Sequence, residues 1–439
     1  MGTATQHGDA ASSDTTPLAG PGTRPVSSTF TPLGATCASV LIGSDGMPQA
    51  LCNTNADLSP VVHLLDPAGG ASVASLALAK GELFTGVYGY VDEADRLVAV
   101  DGDRNVVRVG HDRGGPDGSW RLFVAEPTPI GRYVDVHCGA PRCDSVVSAA
   151  PGYGGGVWFV TAGGTVGIVD TTTGVGGSIA LPPGERIANS ISTAPEGMAV
   201  ATGHALYLVG VDGQGSPEVL WRREYDRGPG RKPGQLSWGT GATPTFFGPA
   251  TGTDYVAITD NAVPEANLLV YRTATGERVC SIPVVDGTEN SPIGSGTAVV
   301  VASTFGYPYP ALPSDAGPSV PPTAGFTGGM TRVDIDADGA GCERTWTTDV
   351  RSAAVPKLSL ADGRIYTVSR TGPGDGFEHT VIDAETGEVQ ARRPLATGPA
   401  FDTLQMAGNL APGQVIYQPT VTGVHRVTPK EAPAADPPR

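Results

Sequence analysis

Side chains able to bind a cation or move a proton recur at one kind of position along this 439-residue chain, beside short apolar runs. Glu289 and Asn290 stand ahead of the run 299–302, Lys357 ahead of 365–368, and Asp402 and Gln405 ahead of 415–417; Asn189 precedes 198–201. Asp260 and Asn261 directly follow 256–259. Carboxylate and amide oxygens are what a hard cation takes, since Ca²⁺ collects several oxygen ligands. Brought together, Glu289, Asn290, Asp260 and Asp402 would hold Ca²⁺, the ion would polarise a carbonyl, and Glu289 or Asp260 would act as general base. Asn261, Lys357 and Gln405 would then contact the ligand. The same side chains equally suit a polar channel, hydrogen-bonding one another and trapped water. Other motifs point away from chemistry. The 334–339 stretch opens like a calcium loop but has Thr345 where the closing Glu belongs, so a hairpin turn is expected. No Gly-x-Ser-x-Gly turn occurs, the Gly-x-Gly run at 152–156 opens no helix, and the seven histidines are not spaced as a metal pair.

The elements that must position these residues form a repeat. Each unit has a small-residue segment, an apolar burst too short for a helix, a second β-rich run ending in an Asp/Thr/Gly turn, and a last short strand. Anchored at Ser190, Thr243, Ser291, Val355 and Leu404, the intervals are 53, 48, 64 and 49 residues, the 64 containing an insertion. Such units are four-stranded propeller blades, and the reading is all-β, a single β-propeller of eight blades, with seven as the fallback if residues 33–82 form a cap. The last unit ends one strand short near Val427. An unpaired sheet edge is costly, so residues 27–32 are expected to supply the missing strand and close the ring.

The turns Asp170-Thr171-Thr172-Thr173-Gly174, Thr273-Ala274-Thr275-Gly276-Glu277 and Asp383-Ala384-Glu385-Thr386-Gly387-Glu388, with Trp221 and Trp346, resemble the repeats of the quinoprotein-like (PQQ-type, WD40-like) propellers over about residues 37–429. The resemblance implies fold more than activity. Dehydrogenases of that group commonly carry adjacent cysteines or a haem-attachment Cys-x-x-Cys-His; neither is present, so PQQ and haem are not expected. The central Glu/Asn/Asp set is similar to that of calcium-dependent lactonase propellers, which implies a hydrolase of lactonase or esterase type as the alternative to a propeller that only binds.

Composition narrows the setting. With 62 Gly, 39 Pro and 16% charged residues the chain is turn-dense, and no segment is apolar enough to span a membrane. A net charge of −16 without a basic patch disfavours nucleic acid and anionic membrane surfaces. Residues 1–26, rich in Ser, Thr, Gly and Pro, are expected to be the disordered lead of an exported protein whose signal peptide is absent from this chain, 27–429 the propeller, and 430–439 a disordered tail. Six cysteines suit export, paired as Cys37 with Cys52, Cys138 with Cys143 and Cys280 with Cys342; sequence alone allows fifteen pairings. The insertion 303–329 carries Tyr307 and Tyr309 among prolines and is expected to form a lid over the funnel, with both tyrosines at the ligand. A basic loop, 226–238, with Arg227, Arg231 and Lys232, is either an anion contact or a solvated connector. The expected partner of this monomer is a small molecule, glycan or protein.

Overall fold

The computed structural model describes residues 4–81, 88–138, 144–313, 316–372 and 376–430. Its β-branched bursts form eight sheets, each built on four antiparallel strands in sequence order from inside to outside. Blades 1 to 7 span residues 35–77, 90–124, 146–180, 192–224, 245–285, 293–348 and 357–397. Blade 8 takes three strands from 409–429 and its outermost strand, Val26–Pro32, from the other end of the chain. That closing strand pairs antiparallel with Gly423–Pro429, Val26 opposite Pro429 and Pro32 opposite Gly423. Second strands such as Tyr255–Thr259 are buried along their whole length, because a neighbouring blade covers each face; this is why they read as unbroken apolar runs.

Eight apolar clusters decide the blade count, one at every junction between neighbours. The junction of blade 8 with blade 1 packs Tyr417 and Val424 against Val40 and Leu65, so residues 35–77 are a blade of the ring rather than a cap. The Trp-and-turn motif works across junctions as well. Trp221 of blade 4 donates its indole N–H to the Thr273 carbonyl of blade 5 (2.8 Å) and lies so close over Gly276 that a Cβ there would stand 2.7 Å from the ring. Gly276 also has φ of 64°, so the turn needs glycine for two reasons. Trp346 of blade 6 repeats the contact on Ala384 and Gly387 of blade 7.

Cys37 and Cys52 face each other across neighbouring strands of blade 1 and are bonded. Cys280 and Cys342 tie the outer strands of blades 5 and 6 together. Cys138 is disulfide-bonded; its expected partner Cys143 lies outside the described residues. The 334–339 stretch makes the interstrand turn, with Asp336 N–H to the Gly341 carbonyl at 3.0 Å. Unexpected from sequence is a helix, Gly131–Cys138, whose Val134 is buried between blades 2 and 3. Among the described residues no helix is long and apolar enough to cross a membrane.

The lead 1–26, read from sequence as disordered, follows a defined course from Ala4 onward. Ala4 and Thr5 pair with Val91 and Tyr90 on the inner edge of blade 2. The chain then runs through the central channel and accepts backbone hydrogen bonds from four successive inner strands: Thr193 to Ala10 (2.7 Å), Phe246 to Ala11 (2.9 Å), Gly294 to Ser13 (2.9 Å) and Leu358 to Asp14 (2.9 Å). Inner strands of a propeller expose unpaired N–H groups to the axis, and this strap satisfies them. Small residues allow so close an approach, and Ser12 and Asp14, at φ of 53° and 52°, turn the strap around the axis. Pairing of Thr15 and Thr16 with Leu358 and Ser359 ends its passage; Leu18 packs between blades 7 and 8, and the closing strand follows. The predicted tail 430–439 lies outside the described residues beyond Lys430.

Candidate functional site at the lid end of the funnel

Inner strands start, and second strands end, at one end of the ring, so the polar residues singled out above share that end. Going from it toward the strap, the axis holds three layers. The deepest is the strap's own anchor. Asp14, fully buried, accepts hydrogen bonds from Lys357 Nζ (2.7 Å), from Ser291 Oγ and at His7 Nδ1 (3.1 Å). Burial alone would raise the Asp14 pKa, but the charges of His7 and Lys357 offset this and hold it below the ordinary carboxylate value. Lys357 also donates to the Gln6 carbonyl (3.0 Å) and is 1% exposed, so it anchors the strap and cannot meet a ligand as expected. Ser291 and Asp14 both approach the same ring nitrogen of His7, and His7 Nε2 faces Gln6 and Thr243. A nucleophile relay needs serine and carboxylate on opposite nitrogens, so this is a clasp.

Above it lie Asn189, Glu289, Asn290 and Gln405. Asn290 Nδ2 donates to Gln405 Oε1 (3.0 Å), and Gln405 Nε2 to the Ser352 carbonyl (2.7 Å). Leu404 and Gln405, at φ of 48° and 60°, make a tight turn before the inner strand of blade 8, rather than lying in that strand. Glu289 Oε1 accepts the Leu236 N–H (2.7 Å), while its Oε2 is buried with no hydrogen-bond partner among the described residues and sits over Gly241. Desolvation pushes its pKa up to about 8. Burial, then the Glu289 charge, raises the Tyr88 hydroxyl to about 12, and the same two causes lead for Tyr309.

The insertion is the third layer. Tyr307 donates to Asp402 Oδ1, and Arg370 Nη1 to Asp402 Oδ2 (2.9 Å). Tyr307 packs on Tyr309 and Phe326 at ring distances of 4.9 and 5.1 Å, and with Ala353, Val368 and Phe377 forms a ninth apolar cluster under the lid. Tyr307 is 3% exposed, so it fixes the lid instead of contacting a ligand; Tyr309 is half-buried. The basic loop locks the lid from the other side. Val320 N–H bonds the Arg231 carbonyl (2.7 Å), and Gly306 N–H bonds that of Pro233 (2.9 Å). Arg231 and Lys232 are themselves buried on backbone carbonyls, Lys232 Nζ on Ala262 (2.5 Å) and Asp286 (2.6 Å), and Arg227 stacks on Trp238 at 4.1 Å. That loop is thus packed into the lid and is no solvated connector.

The calcium set does not assemble. Asp260 spends its oxygens on the N–H groups of Ala262 (3.1 Å) and Asn267 (2.7 Å) and the Asn267 amide (2.8 Å), closing its own hairpin loop. Asn261 donates to the Arg227 and Gly230 carbonyls, and Asp402 is occupied as above. Among the described residues, no three His, Cys, Asp or Glu side chains gather where one ion could be held. His379 and His425, buried in third strands, are pushed down to about 4 by desolvation.

Beside the lid, toward blade 7, is a cleft of about 630 Å³ lined by Pro308, Ala324, Phe326, Arg351, Arg370 and Gly372. Sequence reasoning missed both arginines. Arg370 stands at the end of a second strand, the slot that drew attention to Asp260, and the same rule applied to blade 7 would have found it. Nothing local in 1–26 marks Asp14 or His7.

No family model and no curated protein sequence matches the chain. Solved structures that resemble it include BamB from Moraxella catarrhalis, 12% identical over 91% of this chain and 99% of that one, with a TM-score of 0.48. The WD40 domain of Toxoplasma gondii coronin is 10% identical over 94% of this chain and 89% of that one, TM-score 0.43. A functionally unknown protein from Desulfotomaculum acetoxidans DSM 771 is 10% identical over 76% of this chain and 92% of that one, TM-score 0.42. All are distant in sequence, and the assignment to the propeller fold stands on the eight closed sheets themselves.

Proposed function

We propose that this is an exported binding propeller that takes its ligand, a small molecule, glycan or protein segment, at the lid-side rim and not in the central channel. One observation carries the reading: the chain's own strap occupies the inner strands of blades 4 to 7, while an open cleft remains between lid and blade 7. Pockets that are concave, largely apolar and furnished with a few polar groups are the usual ligand sites. The disulfides Cys37–Cys52 and Cys280–Cys342 support an oxidising compartment. Thermal-shift screening with small carboxylates, sugars, lactones and esters tests the reading. Hits should lose their effect when residues 310–323 are replaced by two glycines, in a protein that still melts cooperatively; hits indifferent to lid removal would refute it.

A second reading rests on Glu289. A carboxyl held protonated near neutral pH by burial is the arrangement of a general acid, and in a lactone or ester hydrolase it would protonate the departing alkoxide. Turnover of any lactone in the panel that disappears in Glu289→Gln supports it; unchanged turnover removes it.

A further inference from the structure

We propose that the cleft between lid and blade 7 binds an organic carboxylate, its flat apolar body beside Phe326 and its charge on the guanidinium of Arg351. This deepens the rim-binding reading and rests on it. In a chain of net charge −16 the cleft is an exception, because its lining holds two arginines and, among the described residues, no carboxylate. Arg370 is engaged by Asp402 at 2.9 Å, so the donor capacity that counts belongs to Arg351. Its Nη1 donates to the Gly372 carbonyl at 2.8 Å, and its Nε is buried without a hydrogen-bond partner among the described residues. Nε is closed off from the cleft, and Nη2, which has no hydrogen bond to a described residue, is the donor left for an arriving acceptor. The position of Arg351 is also constrained. Gly328, at φ of 75°, packs so close that a Cβ there would stand 2.5 Å from the Arg351 Cα, and the guanidinium lies 5.1 Å from the centre of the Phe326 ring. A guanidinium held in this way is a pre-organised charged donor for an anion's oxygen, and the Phe326, Pro308 and Ala324 walls favour an apolar body behind it. Burial and the neighbouring Arg370 both disfavour the charge on Arg351, and a bound anion relieves that.

Calorimetric titration at millimolar concentration with benzoate, its uncharged isostere benzamide and inorganic phosphate tests the proposal. Benzoate should bind, benzamide and phosphate much more weakly. Arg351→Gln should weaken benzoate about tenfold or more, the value of a charge-assisted hydrogen bond, with Arg351→Lys intermediate because it keeps charge but loses the planar group held against Phe326. Benzoate failing to bind, benzamide binding equally, or Arg351→Gln leaving affinity unchanged in a normally melting protein would each overturn it. Phosphate matching benzoate would overturn the apolar half of the assignment. A neutral hit that needs the lid would overturn the carboxylate class while leaving the rim reading intact; if nothing needs the lid, the rim reading itself fails.

Discussion

Replacing Glu289 by Gln isolates one proton in the centre of the funnel. The amide keeps the shape, its carbonyl can still accept the Leu236 N–H, and its NH₂ takes the place of the unpartnered Oε2. In the wild type, burial raises the Glu289 pKa from 4.5 to about 8. For an acid with a raised folded pKa the sign is fixed. Its contribution to stability is complete below 4.5, where folded and unfolded chains are both protonated. Between 4.5 and about 8 the unfolded chain releases the proton while the folded one keeps it, so stability falls as pH rises. Each pH unit in the window is worth about 1.4 kcal/mol, and the whole window about 5 kcal/mol. Glu289→Gln has no such slope. The stability of the variant relative to wild type should therefore improve by up to about 4 kcal/mol between pH 5 and pH 8.5, read from urea unfolding at both values. A difference that does not change with pH would show Glu289 already ionised at neutral pH and remove both its protonated state and its role as an acid. Calcium gives a second arm at pH 8: an ion held by this carboxylate would stabilise the wild type and leave the Gln variant unmoved.

The strap should be structural. Asp14→Ala strands Lys357 in the channel and is expected to cost about 3–5 kcal/mol, with Asp14→Ala/Lys357→Met costing less than the sum of the singles; additive effects in denaturant melts would argue against a coupled pair. The Asp14 contribution should be present above the ordinary carboxylate pKa and be lost as pH falls through its lower folded value. Deleting residues 1–24 should lower the melting temperature, and deleting 1–33 should lower it further by removing the closing strand; equal tolerance of both deletions would refute strap and closure together. Replacing Cys280 and Cys342 by Ala should cost roughly 2–4 kcal/mol, because the bond closes a 62-residue separation and joins two blades; a loss under about 0.5 kcal/mol would show that the blades need no such tie.

What sequence could show depended on whether a residue's role was local. Turns such as 383–388 and their partner tryptophans are written in adjacent residues, because Asp383 bonds the N–H groups just after it and Gly387 must leave room for Trp346. The closing strand was legible for a negative reason: a unit ending one strand short demands a partner. The lid was legible from its length. Asp260 and Asp402 misled because residue type and slot do not say where the oxygens point; neighbours only two and seven positions away claimed those of Asp260. Asp14 and His7 were invisible, since a strap takes its hydrogen bonds from four other blades and needs only to be small, which in sequence is the composition of a linker. Helix Gly131–Cys138 breaks the repeat between two blades and, among the described residues, has no counterpart in other units.

The strap also sets an order of events. Residues 5–16 lie inside a ring that is sealed by pairing Val26 with Pro429, partners about 400 positions apart. A chain made from its amino end exposes the strap and the closing strand before any blade, yet their partners in blades 4 to 8 come later, Gly423–Pro429 last of all the strands of the ring. Contacts so distant along the chain form slowly. Until then a strand edge and a row of small residues stay open to other chains. The completed molecule answers to direction as well. Traction at residue 4 should meet the strap's hydrogen bonds first, whereas traction at residue 429 should meet the closing pair of strands first.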